Sequence, residues 1–251
     1  MATPHPPSAH AGRPVDRPLV ENLITLAGTP DDASQIDTQL AMIARLVADI
    51  VAPVAYASVT ARREGAFTTV ATTSELAVAV DHAQYADQSG PCLTALETGV
   101  PVGVEHIAAT MVWPGFRDMA FGLGLRASLS IPVFAGSGAP VAALNLYGHE
   151  PSTMAQLTAR VWQVYDPEFD LDPGAEGRRQ RPPELDEGSE QLVAGLADAL
   201  TVRALIQRAI GVVMAIGHHS PDEAYLVLRL RAAEDGGSIA HAARALLDEP
   251  R

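Results

Sequence analysis

Between about Tyr165 and Ser189 the apolar periodicity of the chain stops, and Asp, Glu, Pro, Gly and Arg take over, with Pro182 and Pro183 in succession. A linker over 165–188 would divide the 251 residues into two units, each of which has to close a hydrophobic core of its own. Ahead of the first unit, residues 1–18 hold five prolines and little to bury, so they read as a disordered tail. The first unit then occupies 19–164 and the second 189–251.

Helix and strand signals alternate irregularly in the first unit. Val20, Leu23, Ile24 and Leu26 fit a short amphipathic helix. Beyond the turn residues Gly28 to Asp32, the spacing of Leu40, Ile43, Leu46, Val47 and Ile50 predicts a second helix over 36–50. Residues 54–60 and 67–73 are rich in β-branched and aromatic side chains and flank the polar stretch Ala61 to Gly65, a hairpin pattern. Ser74 can cap a helix running towards Tyr85, and the turn 87–91 precedes a short helix near Cys92 to Thr98. Strands follow at 100–104, 127–134 and 141–147, with Gly136 to Gly138 turning between the last two. Two hairpins among helices predict an antiparallel α+β domain rather than a doubly wound parallel sheet.

The second unit reads as all-helical. Leu192, Leu196 and Leu200 recur at four-residue steps, and the pattern runs on through Ile206, Ile210 and Val213, giving one helix of about six turns. Gly217 is a natural end for it. Ser220 starts the next helix, with Pro221 in its first position and Glu223 in its third, and 239–247 forms a third. Leu192, Leu196 and Leu200 can contribute to a helical seam between two copies, although three residues do not make a sustained heptad. Gly211, inside a helix, costs about 1 kcal/mol relative to Ala. Such a residue is explained by the close approach of another helix or of a nucleic-acid backbone.

Charge and cysteine usage limit the function classes. The formal net charge is −13 and every one of the 17 cations is Arg, a balance that by itself opposes nucleic-acid binding. The acidity is uneven, with −7 over 1–150, −5 over 151–190 and only −1 over 191–251. No uninterrupted apolar run approaches the roughly 18–20 residues of a membrane span, and residues 1–18 lack the apolar stretch of a signal peptide, so a cytoplasmic address with no membrane partner is expected. The single Cys92 excludes an intramolecular disulfide, and without a second thiol or a nearby cation it reads as a small buried residue rather than a redox sensor. His82, His106, His149, His218, His219 and His241 fall in separate elements without metal-ligand spacing. No catalytic residue, cofactor or metal is expected.

Two family resemblances complete the reading. Arg203 to Met214, with Ile206, Ala209, Gly211 and Met214, followed by Ser220 to Arg231 and then Ile239 to Leu247, resemble the three helices of an ANTAR domain, an RNA-binding module of bacterial transcription antiterminators. Asp81 to Tyr85, Gly90 to Leu93, Trp113 to Phe116, Gly124 to Pro132 and Ala143 to Tyr147 are similar to the GAF domain found ahead of ANTAR in many actinobacterial regulators. The second resemblance implies a central antiparallel sheet flanked by helices, often with a ligand cavity on one face, and hence an unidentified small-molecule ligand. The first implies binding to paired RNA hairpin loops, which takes two copies of the module and therefore a homodimer. Arg203, Gln207, Arg208 and Gly211, joined by Arg229 and Arg231 from the next helix, are the candidate RNA-binding residues, since Arg both pairs bidentately with phosphate and stacks on unpaired bases. Ile210 stands where relatives carry Lys, Val112 where they carry Arg, and His106 where an acid is common. Some GAF domains reduce free methionine sulfoxide, but a single Cys does not supply that chemistry. A ligand-binding or dimerisation protein whose helical tail does not touch RNA is the alternative function.

Overall fold

The computed structural model describes residues 17–168 and 184–249, so residues 1–16 of the expected tail and most of the expected linker lie outside the described residues, while Pro18, expected in the tail, opens the first helix. The elements run α1 (Pro18–Ala27), α2 (Ile36–Ile50), β1 (Tyr56–Arg63), β2 (Ala66–Thr72), α3 (Glu75–Ala86), α4 (Pro91–Thr98), β3 (Val102–Val104), α5 (Pro114–Gly122), β4 (Ala127–Phe134), β5 (Pro140–Gly148), α6 (Pro151–Tyr165), α7 (Glu187–Gly217), α8 (Pro221–Glu234) and α9 (Ile239–Asp248), with a 3-10 turn at Ile107–Ala109. Five strands form one antiparallel sheet in the order β2-β1-β5-β4-β3.

Alternation along the three central strands sends one set of side chains to each face. Ala57, Val59 and Ala61, Leu129, Ile131 and Val133, and Ala142, Leu144 and Leu146 meet α1, α2, α6 and the first half of α7 in the main apolar core. The other face carries Ser58, Thr60, Ser128, Ser130, Asn145 and Tyr147, all buried, beneath α3, α4 and α5. A sheet covered on both sides explains why every residue of β4 is buried. Pro132 is tolerated in that strand because β3 has already ended: β3 pairs only with 128–130, and Pro132 faces β5 alone.

The first hairpin is tighter than its polar residues suggest. Ala61 to Arg63 extend β1, Ala61 being fully buried, and Glu64 and Gly65 alone make the turn, at φ 51° and 84°. Two successive positive φ angles match the right-handed twist of the strands they join.

The largest departure from the sequence reading concerns α7. It is 31 residues long, starts at Glu187 within the expected linker, and belongs to two cores at once. Leu192 and Leu196 pack with Leu19, Leu23 and Leu26 of α1 in the main apolar core beside the sheet, so they do not form an open seam for a second copy. Ile206, Ala209, Ile210 and Val213 join Ala224, Leu228 and Ala232 of α8 and Ile239, Ala242 and Ala243 of α9 in a separate core. The helix start is fixed by Asp186, whose carboxylate accepts from the Ser189 amide (3.0 Å) and from the Ala52 amide (3.3 Å). Partial burial pushes the Asp186 carboxyl up, but the hydrogen bonds from Ser189 and the Ala52 amide outweigh it and hold the group below its ordinary range. Gly188 sits directly against the Ile50 carbonyl at the end of α2, where a Cβ has no room. By length and composition alone one stretch of α7 is apolar enough to cross a membrane, a property that a helix feeding two apolar cores shares.

Candidate nucleic-acid interface and the sensor core

The capping of the output helices follows the sequence. Ser220 receives the Glu223 amide (3.4 Å) while Glu223 Oε2 receives the Ser220 amide (2.8 Å), the reciprocal arrangement that fixes the start of α8. Those bonds from Ser220 hold the Glu223 carboxyl below its ordinary range. The end of α7 is different: the helix continues through Gly217, and His218 takes the left-handed cap position at φ 55°.

The six candidate RNA-binding residues do not form one open patch. Arg203 lies over the Phe134 ring, 3.9 Å from its centroid, and donates through Nε to the Gly138 carbonyl at 2.8 Å. Gln207 donates to the Ser137 carbonyl. Arg229 pairs with Asp32, at 2.9 and 3.0 Å from its two carboxylate oxygens. These three therefore face the turn between β4 and β5 and the loop between α1 and α2. Arg208 and Gly211 are exposed elsewhere, in a shallow groove with Val212, Ala215, Ile216, Leu247 and Glu249. Arg231 pairs with Glu249 (3.1 Å) in the adjoining groove.

The division has a geometric cause. Arg203, Gln207 and Gly211 follow one another at four-residue steps along α7, but the β4–β5 turn reaches only the first two of them, and Arg208 lies on the neighbouring stripe. Among the described residues, no neighbouring element comes within 4 Å of where a Cβ on Gly211 would stand, so none of the described helices explains it by close packing.

Tyr225 is the site residue that sequence reasoning missed. Its hydroxyl donates to Asp31 Oδ1 and accepts from the Asp31 amide, both at 3.3 Å. Burial, followed by the Asp31 charge, pushes its phenol up to about 12. An aromatic on a helix face carries no local signal of such a contact, because Asp31 lies 194 residues away.

On the opposite face of the sheet, beneath α3, α4 and α5, lies a buried polar cluster. Asp81 of α3 is fully buried and accepts from Tyr147 (2.8 Å), Thr69 (2.9 Å) and Asn145 (3.3 Å). Asn145 also donates to Thr60 (2.9 Å) and Ser58 (3.2 Å), and the Tyr85 hydroxyl bridges Thr60 and Thr69 at 2.9 Å each. Burial raises Asp81 to about 6, against the opposing pull of the Ser58, Tyr147 and Thr69 hydroxyls and of His82. Cys92 is buried beside this cluster and its thiol is pushed well up, first by burial and then by Asp81. A thiol so held is not a nucleophile, as the lack of cationic neighbours in the sequence had indicated.

Fold and site together define a two-part regulatory chain, in which a helix-flanked antiparallel sheet is joined through one shared helix to a three-helix output unit. The chain belongs to the GAF domain family, which matches residues 33–163, and residues 194–247 match the ANTAR domain. GAF is a sensory domain and ANTAR an RNA-binding antitermination domain, and both are regulatory families. No curated protein matches the chain. Among solved structures, a domain assigned to a two-component sensor histidine kinase protein from Sinorhizobium meliloti 1021 aligns with 69% of this chain and 92% of its own length, at 11% identity and a TM-score of 0.37. That similarity is too low to carry any argument.

Proposed function

We propose that the chain is a cytoplasmic, homodimeric regulator of the actinobacterial GAF-ANTAR type, which binds paired RNA hairpin loops through α7, α8 and α9 and controls transcription antitermination. The observation that carries this is the coincidence of the ANTAR match at 194–247 with a helical unit that has its own apolar core. Arg203, Gln207, Arg208, Gly211, Arg229 and Arg231 are its assigned RNA surface, of which Arg208 and Gly211 stand open. Guanidinium groups suit this role because they pair with phosphate and stack on looped-out bases. A second copy is supported by apolar surface left exposed among the described residues: Ile216, Leu226 and Leu230 are 71%, 52% and 56% exposed. The sensor domain takes an unidentified small-molecule ligand in this reading, and no cofactor is required.

A second reading, in which the helical end does not bind RNA, is favoured by one observation: Arg203, Gln207 and Arg229 already have partners within the chain. Titration of a two-hairpin RNA at several salt concentrations separates the two. The proposal expects affinity to fall with salt, and Arg208→Ala to weaken binding and flatten the log–log salt slope by about 0.7–1. Unchanged binding by Arg208→Ala would show the surface to be misassigned, and no binding at any salt would leave the second reading.

A further inference from the structure

The contacts that occupy Arg203, Gln207 and Arg229 come from two short segments of the sensor that are themselves tied together. Asp31 Oδ1 accepts from the Ser137 amide at 2.8 Å, and the Thr29 carbonyl accepts from the Gly136 amide at 2.8 Å. The loop between α1 and α2 and the turn between β4 and β5 therefore act as one piece against α7 and α8. That piece offers a carboxylate to Arg229, a second carboxylate to Tyr225, main-chain carbonyl oxygens to Arg203 and Gln207, and an aromatic face to Arg203. These are the groups by which an RNA loop would engage the same side chains: anionic oxygens for guanidinium pairing, neutral acceptors, and a flat π surface for stacking.

The turn is shaped for this approach. A Cβ on Gly136 would strike the Tyr225 hydroxyl and stand 2.9 Å from both Asp31 Oδ1 and the Thr29 carbonyl. One on Gly138, at φ 84°, would strike the Gln207 amide. Glycine at both positions lets the sensor reach α7 and α8 at hydrogen-bond distance, where a side chain would hold it away.

We propose that this acidic loop and glycine turn form an autoinhibitory clamp that imitates RNA, engaging the polar groups of Arg203, Gln207, Tyr225 and Arg229 so that the sensor and an RNA loop compete for the same side chains. The inference rests on the RNA-binding reading above and names its regulation. Arg208 and Gly211 remain outside the clamp, so they admit a first, weak encounter, while full engagement requires the clamp to withdraw. The apparent affinity of the intact protein is reduced by the fraction of molecules that are open.

The test is a fluorescence-anisotropy titration of a labelled two-hairpin RNA with the full chain, comparing wild type, Asp32→Asn and the charge-neutral Gly136→Ala, each checked for native folding by circular dichroism. Should Gly136→Ala not fold, Gly138→Ala, whose Cβ would strike the Gln207 amide from the sensor side, takes its place as the charge-neutral variant. Both variants are expected to bind at least about tenfold more tightly than wild type. Equal binding by all three proteins overturns the clamp and leaves RNA binding intact. Tightening confined to Asp32→Asn is a charge effect and also overturns it. Absence of RNA binding in every protein overturns the clamp together with the function on which it rests.

Discussion

Replacing Asp81 by Asn removes a buried charge from the sensor without changing the size of the side chain. In the fold the carboxyl titrates at about 6, against an ordinary value of 3.8. Raised from 3.8 to about 6, the carboxyl costs roughly 3 kcal/mol once it is ionised in the fold. Because the folded protein holds this proton more tightly than the unfolded chain does, the contribution of Asp81 to stability is fully present below pH 3.8 and is lost as pH rises through 6. At pH 7.5 the wild type therefore carries the whole penalty of the buried anion, and Asn carries none. The amide still accepts from Tyr147 and Asn145, while the Thr69 hydroxyl can reverse to accept from it. Urea unfolding at pH 7.5 should show Asp81→Asn more stable by about 1–3 kcal/mol, a midpoint shift of roughly 1 M. Repeated between pH 4 and 7, the two proteins should converge towards the acid end. A variant less stable than wild type at pH 7.5, or parallel profiles across that range, would refute the assignment of a desolvated carboxylate.

Two further outcomes follow from packing. Gly188→Ala places a methyl group against the main chain of Ile50 and Val51, so it should lower the unfolding midpoint by more than Gly→Ala does at an exposed helical site, where the change stabilises; an unchanged or higher midpoint would show that the start of α7 is not docked on α2. Cys92 should resist a maleimide in native buffer and react stoichiometrically once urea unfolds the protein; rapid native labelling at pH 7.5 would contradict its burial and its raised thiol.

Local patterns carried much of the fold. Helix α2 has its sequence-derived limits because Leu40, Ile43 and Val47 form one apolar stripe that the sheet buries, and β4 has its limits because both of its faces are covered. Helix α6 was legible but unread: Pro151 at its start and Met154, Leu157 and Val161 on one face are a helical signature. The partner of Leu192 and Leu196 was not legible. An i, i+4 stripe specifies a face to be buried without naming what buries it, and here α1 of the same chain does so. The same holds for the candidate site. The residue types were visible, but the stacking of Arg203 on Phe134 is a tertiary contact with no trace in either local segment.

The continuity of α7 has a mechanical consequence. Thirty-one residues make a rod about 46 Å long at about 1.5 Å per residue, keyed at one end into the sheet domain and at the other into the output unit. A helix gripped at both ends transmits torsion, so a few degrees of repacking around Leu192 and Leu196 would swing Arg203 and Arg208 about the shaft axis. The two halves of this protein share an axle, and what turns one turns the other.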